Sequence, residues 1–301
     1  MNGMAAPPLT DATLWISLGF AASLFNTALP LIQEKIKGDG FAVAVWVKLA
    51  VVALSLPMVL FFGFPDDPKF YLLTALSAGI WCINDVIYFR TVPVVGAGVV
   101  SRILPASVIL SFLLWFVFDP ALLRTYSDAP VQGMALAMIV ALSAFFAMSL
   151  KSCPLTWQGV KMLWFVVLAA AIGPLIDKLS LGTSPSAQAP FAFLFCQAAM
   201  MLVFWAIFVV IKKPVSRAVF FTRSSWQAGG FIGCVATIKL ALKFTALQYC
   251  EHPAFLSVIL FTDALWIILY YRITGRKDDS KIWAGLGIVV CAAALVVVKS
   301  L

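Results

Sequence analysis

The sequence predicts an all-α polytopic membrane protein, with ten transmembrane helices arranged as two inverted five-helix repeats. Of the 301 residues, 63% are hydrophobic and only 11% are charged, and the mean hydropathy is +1.02. A domain whose surface is wetted by water does not have this composition. Long apolar stretches recur between short polar breaks, close to the roughly 20 residues that a helix needs to cross a bilayer core of about 30 Å. Strands of a membrane barrel would be about ten residues long and alternate in polarity.

The ten predicted spans fill almost the whole chain, so any function has to be built between helices. Their approximate bounds are residues 13–32, 41–63, 70–89, 94–118, 130–150, 161–181, 189–211, 226–249, 253–272 and 282–300. The first residues, MNGMAAPPLTDATLW, contain no basic leader. We therefore expect the first apolar segment to be a helix of the mature protein and not a cleaved signal peptide.

The two halves of the chain, residues 1–155 and 156–301, each hold five predicted spans. Five is an odd number, so a duplicated unit enters the membrane the second time with reversed orientation, which gives an inverted repeat. A shift of 156 residues supports the duplication by pairing Ser101, Ile103, Leu104 and Leu113 with Ser257, Ile259, Leu260 and Leu269. Such a repeat is suited to alternating access around one central site.

The basic residues predict the orientation. The net charge is +8, and the loops after odd-numbered spans carry most of the Lys and Arg: Lys35, Lys37, Arg90, Lys151, Lys161, Lys212, Lys213, Arg217, Arg223, Arg272, Arg276, Lys277 and Lys281. Only Lys69, Arg124 and Lys299 fall on the other side. Because basic loops stay in the cytoplasm, we expect an integral protein of the bacterial inner (plasma) membrane with both termini on the non-cytoplasmic side. The charge indicates topology, and no nucleic-acid partner is expected.

Charged residues within the spans are the first candidates for a site, because each costs about 2.5 to 3.5 kcal/mol on insertion scales. Counted at 1.5 Å per residue, Arg102, Lys239 and Asp263 lie about 12 to 20 Å from the nearest span end, so we predict that they bind substrate. Arg102 and Lys239 suit a carboxylate or a phosphate, and Asp263 suits an ammonium group or a proton. Alternatively, Arg102 or Lys239 pairs with Asp263 or Asp85 and joins helices.

Asp85, next to Asn84 near the end of the third span, is the predicted gating or proton-coupling carboxylate. The alternative is an ion pair with Arg90 or Arg102. Pro105 lies within the fourth span, where the missing N–H frees a carbonyl, and is the predicted hinge.

Three aromatic residues, Trp81, Tyr88 and Trp266, could stack on a substrate ring or hold a cation. Anchoring at the membrane interface or contact with lipid is the alternative for each of them.

The remaining charges within the spans have simpler expected roles. The ammonium groups of Lys48 and Lys243 could reach the headgroups along their flexible side chains. Asp177 and Lys178 are adjacent near the outer end of the sixth span, where we expect them to be solvated or to pair with neighbours.

Catalytic, metal and cofactor sites are not predicted. The six cysteines are scattered without CxxC spacing, and His252 is the only histidine, so a zinc site lacks ligands. His252 is expected to be a plain turn residue, with a pH-sensitive external gate as the alternative. Walker A, GxGxxG and HExxH motifs are missing from the sequence, and neither an enzyme nor a cofactor is expected.

Two segments carry a resemblance to a known family. The stretch YFRTVPVVGAGVVSRILPASVILSFLLWF resembles the third and fourth helices of the drug/metabolite transporter superfamily (EamA-like domains). The stretch KFTALQYCEHPAFLSVILFTDALWIILYYRITGRKDDSKIWAGLGIVVCAAALVV resembles the end of the second EamA-like domain. The resemblance implies two five-helix EamA-like repeats around a central cavity, lined by the third, fourth, eighth and ninth helices among others. It would place Arg102, Lys239 and Asp263 where a substrate could meet them.

These observations favour a secondary transporter that moves a small polar metabolite, such as an amino acid or another zwitterionic or anionic solute, by alternating access. A nucleotide-sugar or sugar-phosphate exchanger is the alternative, followed by a lipid-handling membrane protein. The expected partners are a small-molecule substrate and the lipid bilayer. A coupled proton or counter-solute and a homodimer are further alternatives.

Overall fold

The computed structural model describes residues 9–35, 39–95, 97–150, 156–184, 187–212, 216–275 and 280–300. Within these ranges the chain forms helices and no strand. The helices are α1 Leu9–Lys35, α2 Gly40–Phe62, α3 Pro68–Val95, α4 Ala97–Ile103, α5 Ala106–Phe118, α6 Pro120–Asp128, α7 Pro130–Ser149, α8 Trp157–Gly182, α9 Ala189–Lys212, α10 Arg217–Phe220, α11 Arg223–Tyr249, α12 Pro253–Leu260, α13 Asp263–Ile273 and α14 Ile282–Ser300.

Eight spans in the described part of the chain are long and apolar enough to cross a membrane, and nine if α5 and α6 are counted as one bent span. The all-α polytopic membrane class is therefore confirmed. Helix α6 turns by 101° from α5. The turn is set locally, because the Asp119 side chain accepts a hydrogen bond from the N–H of Leu122 and Pro120 occupies the first helical position, the usual signals that begin a helix.

Two of the predicted spans are broken near their middle. The fourth is split into α4 and α5 by a turn at Leu104 and Pro105, and the ninth into α12 and α13 by a turn at Phe261 and Thr262. Pro105 has no N–H to continue the helix. At the second break the Thr262 hydroxyl donates to the Ile259 carbonyl at 2.7 Å. This side chain therefore competes with backbone N–H groups for a carbonyl of the helix.

Contacts between helix ends define the two ends of the bundle. The Nζ atom of Lys178, near the end of α8, donates to the carbonyl of Leu247 near the end of α11 at 3.0 Å. The N–H of Lys281, before α14, donates to the carbonyl of Leu150, after α7, at 2.9 Å. We call the end that contains Lys178 the upper end and the end that contains Leu150 the lower end.

The most extensive helix packing joins the two halves of the chain. Helix α11 packs against α1 and α2, α3 packs against α8 and α9, α2 packs against α9, and α7 packs against α14. Helices α2 and α11 approach at the level of their backbones, because a Cβ added to Gly229 would overlap Trp46 and one added to Gly233 would overlap Ala50. Small residues permit this kind of close contact between membrane helices.

Buried apolar side chains are organised differently at the two ends. One continuous core occupies the upper half and reaches the middle of the bundle, and it includes the fully buried rings of Phe70, Phe193, Phe244 and Phe255. The lower half of the described structure has four separate clusters: Ala44, Ala78, Cys82, Met201 and Trp205; Val99, Val100, Ile103, Leu163 and Val166; Val43, Ala228 and Ile232; and Ala147, Ala264 and Ile288.

Candidate functional site

Charged side chains from five helices converge within the bundle. We call them the charged cluster: Lys48 of α2, Asp85 of α3, Asp177 of α8, Lys239 and Lys243 of α11, and Asp263 of α13. Lys239 interacts electrostatically with Asp263, Lys243 and Lys48. Lys243 interacts with Asp177 and Lys48, and Asp85 interacts with Lys48. The six groups therefore form one electrostatic unit, and the ammonium of Lys48 acts electrostatically on Asp85, Asp177, Lys239 and Lys243.

Helix geometry gives the heights of members of the charged cluster along the bundle axis. At 1.5 Å per residue, Lys48 lies about 12 Å above the lower start of α2, and Lys239 lies about 24 Å above the lower start of α11. Lys243 follows Lys239 by four residues and so shares its face of α11. Asp177 lies about 8 Å below the upper end of α8. The cluster thus runs from the lower half up to the underside of the continuous core.

Two ammonium groups of the cluster have no close partner among the described residues. Among the described residues, neither Lys48 nor Lys239 makes a hydrogen bond or an ion pair within 4.0 Å. Both side chains are partly exposed, although they lie at mid-bundle depth. A cation at such depth is costly without water or a counter-charge, so this arrangement leaves two positive groups available to an anionic ligand.

Asp263 is held by polar residues of α1. Asn26 donates to its carboxylate Oδ2, and the Thr27 hydroxyl donates to its backbone carbonyl at 3.2 Å. One turn along α13, Trp266 donates through Nε1 to the Ser23 hydroxyl at 3.2 Å. Asn26 and Thr27 follow Ser23 by three and four residues and so lie on its face of α1. The predicted residues Asp263 and Trp266 are thus fixed side by side, with Lys239 as the cation nearby.

Asp177 is fully buried beneath the upper core. Ser77 donates to its Oδ1 at 2.5 Å, and Gln197 donates to the same oxygen at 3.4 Å and to the Ser77 hydroxyl at 2.7 Å. The Nζ atom of Lys243 lies 4.0 Å from Oδ2 and 5.8 Å from the ring centroid of Trp81. Asp177 therefore pairs with its neighbours, which is one of its two expected roles, and is not solvated, because α3, α9 and α11 surround it.

The predicted gating pair lies lower on α3. Asn84 donates through Nδ2 to Asp85 Oδ1 at 3.1 Å, and the partly exposed Asp85 has Lys48 as a charged neighbour. Tyr88, one turn further along α3, is close enough to Asp85 to interact electrostatically. The side chain of Arg90, the alternative partner of Asp85, lies outside the described residues. The gating or proton-coupling role of Asp85 and Asn84 stays a prediction.

Arg102 lies elsewhere. Its Nε donates to the carbonyl of Met148 at 2.9 Å, near the lower end of α7, and Arg102 is not among the charged neighbours of Lys239 or Asp263. The estimated depth of Arg102 assumed an unbroken fourth span, whereas α4 ends one residue after it. These contacts give no support to the predicted substrate contact of Arg102, which stays a prediction.

Sequence reasoning gave too little weight to Lys48, Lys243 and Asp177. A detectable signal exists on α3, where Thr74, Ser77, Trp81 and Asp85 follow one another at intervals of three or four residues. Polar residues at helical spacing within an apolar span mark a face that is turned away from lipid. Gln197 carries no such signal, because it is a single amide in its span, whereas Asn26 shares a polar face of α1 with Ser23 and Thr27.

His252, in the turn between α11 and α12, has a structural role. Its Nδ1 accepts a hydrogen bond from the N–H of Ala254 at 3.1 Å, and its Nε2 lies 3.2 Å from the carbonyl of Phe112. The ring stacks on Phe112 with a centroid distance of 4.8 Å. Burial lowers the pKa of His252 to about 3, so the ring is neutral and donates through Nε2 to Phe112. Among the described residues, no three His, Cys, Asp or Glu side chains are grouped to hold a metal ion.

Comparison with known proteins supports the fold. No family model matches the chain, and no curated protein matches it. Nineteen chains of solved structures match. One of them, a crystal structure of a protein, aligns with a TM-score of 0.68 over 96% of this chain and 98% of its own, at 14% sequence identity. At this identity the similarity establishes a shared fold and leaves the function to the geometry of the site.

Proposed function

We propose that this protein is a secondary transporter that moves a small polar solute with a negatively charged group across the membrane by alternating access. The observation that carries the proposal is the pair of ammonium groups of Lys48 and Lys239, which lie at mid-bundle depth without hydrogen bonds or ion pairs among the described residues. A carboxylate or phosphate of the solute would supply the close, hydrogen-bonded counter-charge that both lysines lack among the described residues.

The acidic half of the cluster favours a zwitterion, such as an amino acid. Asp263 and Asp85 flank the two lysines and suit a positively charged group of the same solute. Trp266 lies one turn from Asp263 on α13, and Trp81 lies beside Lys243, so both rings are near enough to pack against the solute or its ammonium group. An anionic solute that carries phosphate would use the three lysines instead.

Ten spans in two inverted EamA-like repeats are part of the proposal, and the packing of the helices supports them. With α1, α2, α3, α4/α5 and α7 matched to α8, α9, α11, α12/α13 and α14, the contact of α1 with α11 has its counterpart in that of α8 with α3. Likewise, α2 with α11 corresponds to α9 with α3, and α7 packs on its own counterpart α14. Both fourth members are broken at nearly equivalent turns. This arrangement agrees with the drug/metabolite transporter type that the sequence resembles.

The separate clusters of the lower half support an entrance for the solute from the lower end in this conformation. Above the charged cluster, Phe193 packs edge-on against Phe244 with a centroid distance of 4.8 Å and lies 6.3 Å from Phe70. These rings close the upper end. Alternating access requires them to separate while the lower clusters close. The charge of the loops favours a cytoplasmic lower end.

The test is stabilisation of the purified protein by candidate solutes: amino acids, organic anions, organic cations, nucleotide sugars and sugar phosphates. A solute at about one hundred times its Kd is expected to stabilise the parent by about 2.7 kcal/mol. The stabilisation should disappear in Lys48→Gln and Lys239→Gln. It should persist in Lys161→Gln, which removes an exposed lysine at the lower end of α8.

Retention of the stabilisation in both cluster variants would contradict the site assignment. A response to nucleotide sugars or sugar phosphates alone would favour the exchanger over the amino-acid transporter. A positive result should be followed by uptake of the same solute into proteoliposomes.

A further inference from the structure

One carboxylate of the charged cluster, that of Asp177, receives hydrogen bonds from the described residues at only one of its two oxygens. Asp177 Oδ1 receives hydrogen bonds from Ser77 and Gln197, whereas the buried Oδ2 accepts none from the described residues. The nearest cation, Lys243, stays 4.0 Å from Oδ2. A charge-assisted bond between an ammonium and a carboxylate normally spans about 2.7 to 2.9 Å. The pair is therefore adjacent but not in a tight contact.

This geometry suits a carboxyl group that binds and releases a proton. A protonated carboxyl carries its hydrogen on one oxygen and remains an acceptor at the other, and Asp177 has donors at one oxygen only. An ionised carboxylate in the same place requires Lys243 as its counter-charge, because an unpaired buried charge is strongly destabilised. The position of Lys243 therefore decides which of the two states is favoured.

Among the groups that face Asp177, Lys243 has the largest influence on whether this carboxyl is ionised. Helix α3 contributes Ser77 and Trp81, and α9 contributes Gln197; none of these side chains is charged. Helix α11 contributes Lys243, and α2 contributes the more distant Lys48. No other charged group of the described residues acts on this carboxyl.

Lys243 also belongs to the solute side of the cluster. It interacts electrostatically with Lys48, and Lys239 lies one turn below it on α11. Its side chain is partly exposed, whereas that of Asp177 is not. The same ammonium can thus face Asp177 or turn toward an anionic solute bound at Lys48 and Lys239.

We propose that Asp177 is a proton site, and that Lys243 couples the binding of a proton there to the binding of an anionic group at Lys48 and Lys239. When the solute arrives, Lys243 turns to its anionic group, and Asp177 takes up one proton from water in place of the lost counter-charge. One proton and one negative charge enter together, so the charge of the occupied cluster is unchanged. Release of the solute returns Lys243 to Asp177, which gives up the proton. This coupling rests on the proposed transport function.

The proton itself is the probe in the first experiment. Infrared difference spectra of the purified parent protein, recorded across a pH titration, should contain the C=O band of a buried carboxylic acid that gains and loses its proton. The band should be lost in Asp177→Asn. It should remain in Asp85→Asn and Asp263→Asn, which remove the two other carboxyls of the cluster.

Lys243→Gln provides a second readout that does not require removal of Asp177. Loss of the ammonium should make the Asp177 band persist to higher pH, because an opposite charge nearby favours the ionised form. The absence of a band that disappears in Asp177→Asn, or an Asp177 band that is unmoved in Lys243→Gln, would overturn the proposal. These spectra need no solute, so a titrating Asp177 combined with no stabilisation by any solute would refute the transport function and leave the proton site standing.

Discussion

The upper and lower halves of the bundle are built from the same helices but packed in different ways. In the upper half, buried side chains of most helices merge into one core, whereas the lower half has four clusters of three to five buried residues each. A continuous core must break as a unit, because its side chains are interlocked. Separate clusters allow helices to move apart with each cluster intact. Under the proposed transport function, the lower half therefore admits water and solute, while the upper half acts as the closed barrier.

The largest expected effect is on the access of water-soluble reagents to the two halves, and α3 offers a matched pair of positions. Thr74 lies in the upper core and Asp85 in the lower half, eleven residues apart on one face of the helix. In a background without native cysteines, Asp85→Cys should react with a membrane-impermeant thiol reagent about a hundredfold faster than Thr74→Cys, because the upper core must first open at a cost of about 3 kcal/mol. Equal reaction rates would show that the two halves do not differ in access.

A smaller but still large effect, on stability, is expected where α2 and α11 contact each other in the lower half. A Cβ at Gly229 would overlap the Cβ of Trp46, whereas a Cβ at the neighbouring Gly230 meets nothing within 4 Å. Gly229→Leu should therefore destabilise the protein by about 3 kcal/mol or more through overpacking. Gly230→Leu should be neutral or slightly stabilising, because Gly is a poor helix former. Thermal unfolding in detergent measures both variants. A similar loss in the two would mean that the α2–α11 contact is not the cause.

The smallest of these effects is on the pH dependence of stability, and it tests the burial of His252 in the upper half. Burial lowers its pKa to about 3, from about 6.5 in an unfolded chain. Above about pH 6.5 the ring is neutral in both states and favours neither. As the pH falls from about 6.5 to about 3, only the unfolded state binds the proton, so stability should fall by about 1.4 kcal/mol per pH unit.

His252→Asn provides the control, because Asn can still begin α12 but does not titrate. The difference in thermal stability between the parent and the variant should shrink as the pH falls from about 7 to about 5. A difference that is constant with pH would mean that the ring is protonated in the folded protein, and that the upper core admits water at this turn.

Much of the fold could be predicted from hydropathy alone. The apolar stretches gave the membrane class and approximate bounds of most helices, because the requirement for a hydrophobic span is imposed by the bilayer. The break at Phe261 and Thr262 was missed, because it arises from a side-chain hydrogen bond and no proline marks it. The turn of α6 was missed as well, because a polar segment next to a span does not reveal its direction.

The candidate site could be predicted only in part. Lys239 and Asp263 were identified by their depth in a single helix, which the sequence gives directly, whereas Trp266 was selected as an aromatic residue in a predicted span. For Asp177 the sequence left solvation and pairing open, because its burial is caused by three other helices and distance to a helix end does not contain that information. The depth of Arg102 was counted along an unbroken helix, and its predicted contact with substrate stays a prediction.

The hydrogen bond between Ser77 and Asp177 also bears on how the chain enters the membrane. Asp177 would cost about 2.5 to 3.5 kcal/mol at the centre of an isolated helix, and its cationic neighbour Lys243 belongs to a helix that is synthesised later. The hydroxyl of Ser77 belongs to α3, which is synthesised earlier. Helix α8 therefore has a polar partner already in the membrane when it is inserted, and we expect pairing of α3 with α8 to precede the entry of α11.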